Sequence, residues 1–366
     1  MTNNSNSMVQ YEAFSSVVPH KPTFPRPSFR ISAEKDLEPG NLKRCFHMLL
    51  CYERTSSEDS GWIVAGWTKT SMAMALSDKP MLAGRLRGVE DGGLEIVSND
   101  SGIRLVEARI PITLSEFVGL RYKGEVRKQL VYWKSIDGQD TQFSPLMYIQ
   151  VTNFKCGGYA IGISCSILLA DPFLMSSFLK KWSKIHMNLF SESQTQKLPL
   201  QYLPNFGKSD STPVYDPNYA TPQATTEQTL IFKFANLTMD NEMQSIVALS
   251  CIEKAHRRLG KEVTSDFSLL VKDPFNNVFK IVTIIVKDVI SLESFENYTA
   301  NHGEDCSWGD YVDAGGINIA KNNNPVDTVC WISSPVEQDL VMIISSGSNV
   351  TVVVTVSATD HAVEIA

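Results

Sequence analysis

Long hydrophobic runs are missing from this chain. The longest apolar stretches, Ala160 to Ala170 and Val278 to Val286, are bounded by turn or charged residues. Both stop well short of the ~18 residues that suggest a membrane-spanning helix, and they read as buried strands. A basic excess is missing too. Lys and Arg number 33 against 40 Asp and Glu, a net charge of -7. That balance argues against wrapping nucleic acid, which calls for a basic stripe. The short cluster Lys254, His256, Arg257, Arg258 and Lys261 falls on an expected helix and reads as its solvated face. The first ten residues are polar and lack the basic and then apolar pattern of a secretory leader.

Cysteines are few and poorly spaced for joint work. There are seven (Cys45, Cys51, Cys156, Cys165, Cys251, Cys306 and Cys330), an odd number with no Cys-x-x-Cys pair. Neither a disulfide framework nor a zinc site is expected, and no bound metal. Small buried hydrophobes are the simpler reading. This usage suits a reducing compartment, so a cytoplasmic protein is expected, and sequons such as Asn236 to Thr238 carry no meaning there. The phosphate loop GxxxxGKS/T, the nucleophile elbow GxSxG and the zinc helix HExxH are all missing, as are internal repeats.

What is present is an ordinary globular composition, 43% hydrophobic and 20% charged, over 366 residues. That length exceeds the size at which single cores stop growing, so two domains are expected. Residues 1 to 10 read as disordered and the proline-rich residues 19 to 28 as an extended arm. Strands are expected at Cys45 to Tyr52, Leu82 to Leu86, Gly93 to Val97, Ile103 to Ala108, Leu130 to Trp133, Met147 to Asn153 and Tyr159 to Ile163. The Asn99 to Gly102 turn suggests that its flanking strands form a hairpin. Gly157 and Gly158 make a second turn. Helices are expected at Trp62 to Ser77, at Leu114 to Leu120 behind an N-capping Thr113, and at Asp171 to Leu189. In the last, Asp171 caps and Pro172 suits the first helical position.

Residues 191 to 228 hold five prolines among Ser, Thr, Gln and Asn. They read as a connector between an amino-terminal domain, 1–190, and a carboxy-terminal one, 229–366. The second half reads as a strand at Thr229 to Phe234, a helix at Asp240 to Leu259 and strands near Phe267 to Val271 and Val278 to Val286. Thr328 to Ser333 and a closing hairpin, Leu340 to Ser345 with Val350 to Ser357, complete it.

The segment Cys156 to Asp171, CGGYAIGISCSILLAD, delivers a strand to a short turn, after which an acidic residue opens a helix containing Trp182. This resembles the HxxxD region of the plant BAHD acyltransferases. Ser15 to Pro19 resembles that family's opening strand, and Thr68 to Leu86 its first long helix with the AGR element at Ala83, Gly84 and Arg85. Leu94 to Ala108 and Ala248 to Gly260 resemble further elements. The resemblance implies a two-domain, chloramphenicol-acetyltransferase-like α/β fold, with mixed sheets flanked by helices. The span after Asp171 is short for the family, which implies a shortened second domain on the CoA-binding side. It also implies a monomer that takes an acyl group from acyl-CoA as co-substrate, with no resident cofactor, and passes it to a plant alcohol or amine.

Aligned on Asp171 and Trp182, Ile167 stands where the family carries its general-base histidine. Isoleucine has no lone pair to take a proton, and losing general-base catalysis costs ~10²–10⁴-fold in rate. Asp171 corresponds to the motif's structural aspartate, which the family pairs with an arginine. The family's DFGWG element is degraded; its remnant is Asp310, Tyr311, Gly315 and Gly316, with Ser307 to Gly309 as the other candidate stretch. Of the six histidines, His302 lies near this remnant and is an alternative base, while His186 lies about four helical turns from Asp171, too far to serve. Cys165 is an alternative nucleophile, although no basic neighbour in sequence would activate it. Three functions follow: an impaired acyltransferase, a non-catalytic relative acting through a protein partner, or a decayed copy. The eceriferum-type wax proteins, which alter fatty acyl elongation without needing HxxxD chemistry, are the precedent for the second.

Overall fold

The computed structural model describes residues 7–33, 39–56, 59–90, 93–121, 123–170, 172–196, 228–237, 239–261, 266–273, 278–285, 304–312, 314–321, 323–336, 338–346 and 349–357. The fold is α/β, with two mixed sheets and helices packed on them. The first sheet has six strands: β1 (Gln10–Val17), β6 (Ile103–Ile110), β7 (Met147–Phe154), β8 (Tyr159–Ser166), β3 (Cys45–Tyr52) and β13 (Asp327–Ser333), in that spatial order. Only the β6–β7 pair is parallel. Every residue of β3, β7 and β8 is buried. That two-sided burial explains why these strands read as continuous apolar runs rather than alternating ones.

The second sheet has nine strands. Its order is β12 (Glu304–Cys306), β9 (Gln228–Ala235), β15 (Asn349–Val356), β14 (Asp339–Ser346), β10 (Asp266–Asp273), β11 (Val278–Ile285), β2 (Ser28–Ala33), β5 (Leu94–Val97) and β4 (Arg85–Gly88). The sheets do not follow the halves of the sequence. Three early strands, β2, β5 and β4, extend the second sheet through a parallel β11–β2 pairing, and the late strand β13 closes the first against β3.

The helices are α1 (Pro39–Lys43), α2 (Gly61–Leu76), α3 (Leu114–Gly119), α4 (Gly124–Gln129), α5 (Pro172–Gln196), α6 (Asn241–Leu259) and α7 (Trp308–Tyr311). Helices α2 and α5 pack on each other, and α2 lies on β6 and β7. Thr113 opens α3 with a reciprocal capping box to Glu116. Asp240 caps α6 by accepting from the Met243 N–H at 2.8 Å. Gly260 ends it at φ 65°, the left-handed conformation glycine adopts freely. Beneath α6, Val247, Leu249 and Ile252 bury against Phe267, Val341 and the valines of β15 in a core of their own.

Several expectations are corrected. Leu130–Trp133 is buried but forms no strand. It crosses β8 so closely that a Cβ on Gly162 would lie 2.1 Å from the Leu130 carbonyl oxygen. An apolar run can bury by crossing a sheet as well as by joining it. The turn at Asn99–Gly102 does not close a hairpin either. β5 and β6 lie in different sheets, so this turn is a crossover. Order begins earlier than expected, since β1 starts at Gln10 within the stretch read as disordered. Residues 197–227, most of the expected connector, lie outside the described residues.

Candidate functional site

The six-stranded sheet delivers β8 to a turn, residues 167–170, and α5 starts at Pro172. Ile167 has no exposed surface. Its peptide is held from both sides. Its N–H donates to the Arg44 carbonyl at 3.1 Å, and its carbonyl accepts from Lys272 Nζ at 2.9 Å. Lys272 also donates to the Ala170 carbonyl, and its ammonium lies 5.3 Å from the Phe279 ring centre, a cation–π distance. Lys272 belongs to β10 of the other sheet. Arg44 makes the reciprocal link. It precedes β3, and its buried guanidinium donates to the Gln338 carbonyl at the start of β14, to Ser334 Oγ and to Asn41 Oδ1. The turn after β8 is thus the joint between the two sheets, closed by two buried cations.

Cys165 sits two residues before Ile167 with no exposed surface. Burial pushes its thiol up to about 12, although the nearby Lys272 charge pulls the other way. It stays protonated at neutral pH, and the thiolate is the nucleophile. His47, across from Ser164 on the neighbouring strand, is held between two hydroxyls: Nδ1 lies 2.9 Å from Ser164 Oγ and Nε2 2.8 Å from Ser333 Oγ. Burial lowers its pKa to about 3. His186 is likewise buried, 3.0 Å from Ser71 Oγ, and lowered to about 4 by burial. His256 corrects the reading of a solvated helix face. It is buried with Nε2 2.6 Å from Asp339 Oδ2, while Arg257 and Arg258 on the same helix are exposed. The difference is helical phase, since His256 faces β14 and its neighbours do not.

Asp310 lies in α7 and forms a capping box with Ser307, whose backbone N–H and hydroxyl both reach its carboxylate at 2.8 Å. Those two donors hold its carboxyl below the usual range. Tyr311 is the last residue of α7, and Gly315 and Gly316 form the short turn after it. This turn packs on α5: a Cβ on Gly316 would meet the Lys180 side chain at 3.2 Å, and Ser183 donates to the Asn318 carbonyl at 2.6 Å. The other candidate stretch touches the first sheet, with the Trp308 ring 5.5 Å from that of Phe46. Asp171 and His302 lie outside the described residues. Among the described residues, no group of three or more His, Cys, Asp or Glu is placed to hold a metal.

A sequence profile of the Transferase family matches residues 8–257, more than half of the chain. The chain belongs to this family, the BAHD acyltransferases. It is 39% identical over 105 residues to Protein ECERIFERUM 26-like of Arabidopsis thaliana, covering 29% of this chain and 24% of the relative. It is 35% identical over 119 residues to hydroxycinnamoyl-CoA:piscidic acid hydroxycinnamoyltransferase of Actaea racemosa, covering 32% and 26%. These matches span about a quarter of each relative's length. Among solved structures, vinorine synthase aligns over 95% of both chains at 16% identity with a TM-score of 0.49.

Within this BAHD chain the sequence located the turn through Ile167, and the fold adds the groups that hold it. Lys272 and Arg44 were not singled out. Lys272 is the lone cation in the apolar strand run FSLLVK, and that is the only local signal it gives. Arg44 directly precedes the run CFHMLLCY, where a charged residue reads as a strand boundary.

Proposed function

We propose that this chain is a BAHD protein that has lost general-base acyl transfer and serves as a scaffold for acyl-CoA or for a partner protein. The observation that carries the reading is Ile167. A hydrocarbon side chain fills the base position, and the peptide behind it is fixed by Arg44 and Lys272. Among the described residues, the neighbouring Cys165 and His47 do not supply a substitute. The Cys165 thiol stays protonated, and His47 is engaged on both ring nitrogens. The likeness to ECERIFERUM-named relatives fits a partner role in fatty acyl or wax elongation, the precedent within the family.

The test pairs binding with turnover. Calorimetric titration with a panel of aromatic and long-chain acyl-CoAs is expected to give micromolar affinity, about -8 kcal/mol, for at least one donor. Turnover on alcohol and amine acceptors is expected to stay near background, and Ile167→His to raise it. Rapid wild-type turnover abolished by mutating Cys165 or His47 would overturn the reading.

A second reading is slow acyl transfer from CoA to an alcohol or amine. The relatives named as hydroxycinnamoyl-CoA transferases favour it. Positioning and oxyanion stabilisation survive loss of a base, leaving rates ~10²–10⁴-fold below an intact site. Saturable turnover at that level, unchanged by pH across the neutral range, would select it.

A further inference from the structure

A cavity of 320 Å³ opens at the β4 edge of the nine-stranded sheet, away from the β8–α5 turn. Its volume falls at the small end of ligand pockets, roughly 300–1,000 Å³. Three of its lining residues are arginines, Arg26, Arg85 and Arg87, joined by Ser28, Asn99 and Gln142. Leu86 and Val97 complete the wall.

The arginines are in different states. Arg87 is paired with Glu95, whose Oε1 accepts from its Nε at 2.7 Å. Arg85 is buried, and its guanidinium donates to the carbonyls of Gly84 (2.7 Å), Gly102 (2.8 Å) and Ser101 (3.2 Å). It has no carboxylate partner among the described residues. A guanidinium carries five N–H donors, so donors remain beyond these three contacts. Burial and the neighbouring Arg104 lower its pKa to about 10, which still leaves it charged at neutral pH. Arg26, in the proline-rich arm before β2, is exposed and has no ion pair among the described residues. Glu95 is committed to Arg87, and Asp100 to the Thr23 N–H and hydroxyl at 2.9 and 2.6 Å.

A buried cation without a carboxylate is costly, and an anion seated against it relieves that cost. Guanidinium groups converging from two segments suit the tetrahedral, multiply accepting oxygens of phosphate better than one planar carboxylate. The geometry points to a phosphate-binding site in this cavity, with Arg85 as its floor and Arg26 as its outer clamp. Phe24, two residues before Arg26, and Phe143, next to Gln142, are 96% and 71% exposed. They offer aromatic faces to the organic part of a phosphate ester.

The test uses the full chain. Its thermal midpoint is followed at constant ionic strength as inorganic phosphate, or adenosine 3′,5′-bisphosphate, replaces chloride. A saturable rise with phosphate is expected. Arg26→Gln, an exposed change that leaves the fold intact, should weaken binding about tenfold or more, the loss of one charge-assisted contact. Arg85→Lys should weaken it less than Arg85→Met, because the charge stays while the fork is lost. If the bisphosphate binds about tenfold more tightly and Phe143→Ala removes the gain, the ligand is an organic phosphate. Equal affinities make it the inorganic ion. The site is overturned if neither anion stabilises the protein beyond chloride, or if Arg26→Gln and Arg85→Lys both leave the rise unchanged.

Discussion

Lys272 and Arg85 are both buried cations that hold backbone carbonyls, and they do so for opposite ends. Lys272 closes on the carbonyls of Ile167 and Ala170 in a joint with no exposed surface at Ile167. Arg85 holds three carbonyls of the β4 turn region, fewer contacts than its five donors, and lines a cavity. The first arrangement removes a cation from use by surrounding it. The second keeps a cation available by giving it only part of its quota. The difference is one of access: Arg85 lines a cavity, whereas Ile167 has no exposed surface.

The sharpest way to break that comparison is to remove each cation. Lys272→Met keeps the length of the side chain and leaves two buried carbonyls without their donor. It should cost about 2–4 kcal/mol, because water cannot replace the ammonium there. Arg85→Met frees three carbonyls next to an open cavity, where water can replace the guanidinium, and should cost about 1–2 kcal/mol. Urea unfolding of both variants checks the order. Equal losses would mean that openness plays no part and that the two sites are held alike.

Acid sharpens the contrast between the sheets. His47, in the six-stranded sheet, has a folded pKa near 3 against an unfolded value near 6.5. Below pH 6.5 the unfolded chain therefore binds a proton that the folded chain refuses. Stability falls as pH drops from about 6.5 toward 3, by about 2 kcal/mol at pH 5. His186, near 4, adds a loss of the same sign. Asp339, in the nine-stranded sheet, behaves differently. Desolvation works to raise its pKa, but the His256 and Ser357 hydrogen bonds outweigh it and leave the carboxyl lowered. Its contribution is present above the unfolded carboxylate pKa and is lost only as pH falls through the lower folded value. His47→Gln should therefore flatten the decline in stability between about pH 7 and 5, while Asp339→Asn already lowers stability at pH 7. Urea midpoints at the two pH values decide it.

Much of this frame was legible in the sequence, and the reasons are local. Continuous apolar runs gave β3, β7 and β8, and the expected helix Asp240 to Leu259 matches α6, because helical pattern and two-sided burial act within a few residues. The turn that carries Ile167 could be placed between β8 and α5 from the same kind of local pattern. Pairing could not be read in the same way. That β5 leaves β6 for another sheet, that Leu130–Trp133 crosses β8 instead of joining a ladder, and that Lys272 reaches across to the turn all depend on contacts distant in sequence. A single charged residue in an apolar strand, such as Lys272, signals only that something must meet it.

The smallest effect expected is also the finest probe of the closed joint. Ile167→Val removes one methylene from a fully buried side chain beside a peptide that Arg44 and Lys272 hold in place. Where surroundings collapse into the space, such a change costs about 0.5 kcal/mol; where they are held, the cavity persists and the cost approaches about 1.5 kcal/mol. With both peptide partners fixed, the upper end is expected, falling toward the lower end in a Lys272→Met background. A double-mutant cycle measures that coupling directly. Strict additivity would mean that Lys272 does not hold the turn against relaxation, and the imidazole introduced by Ile167→His would then have freedom to turn toward an acceptor.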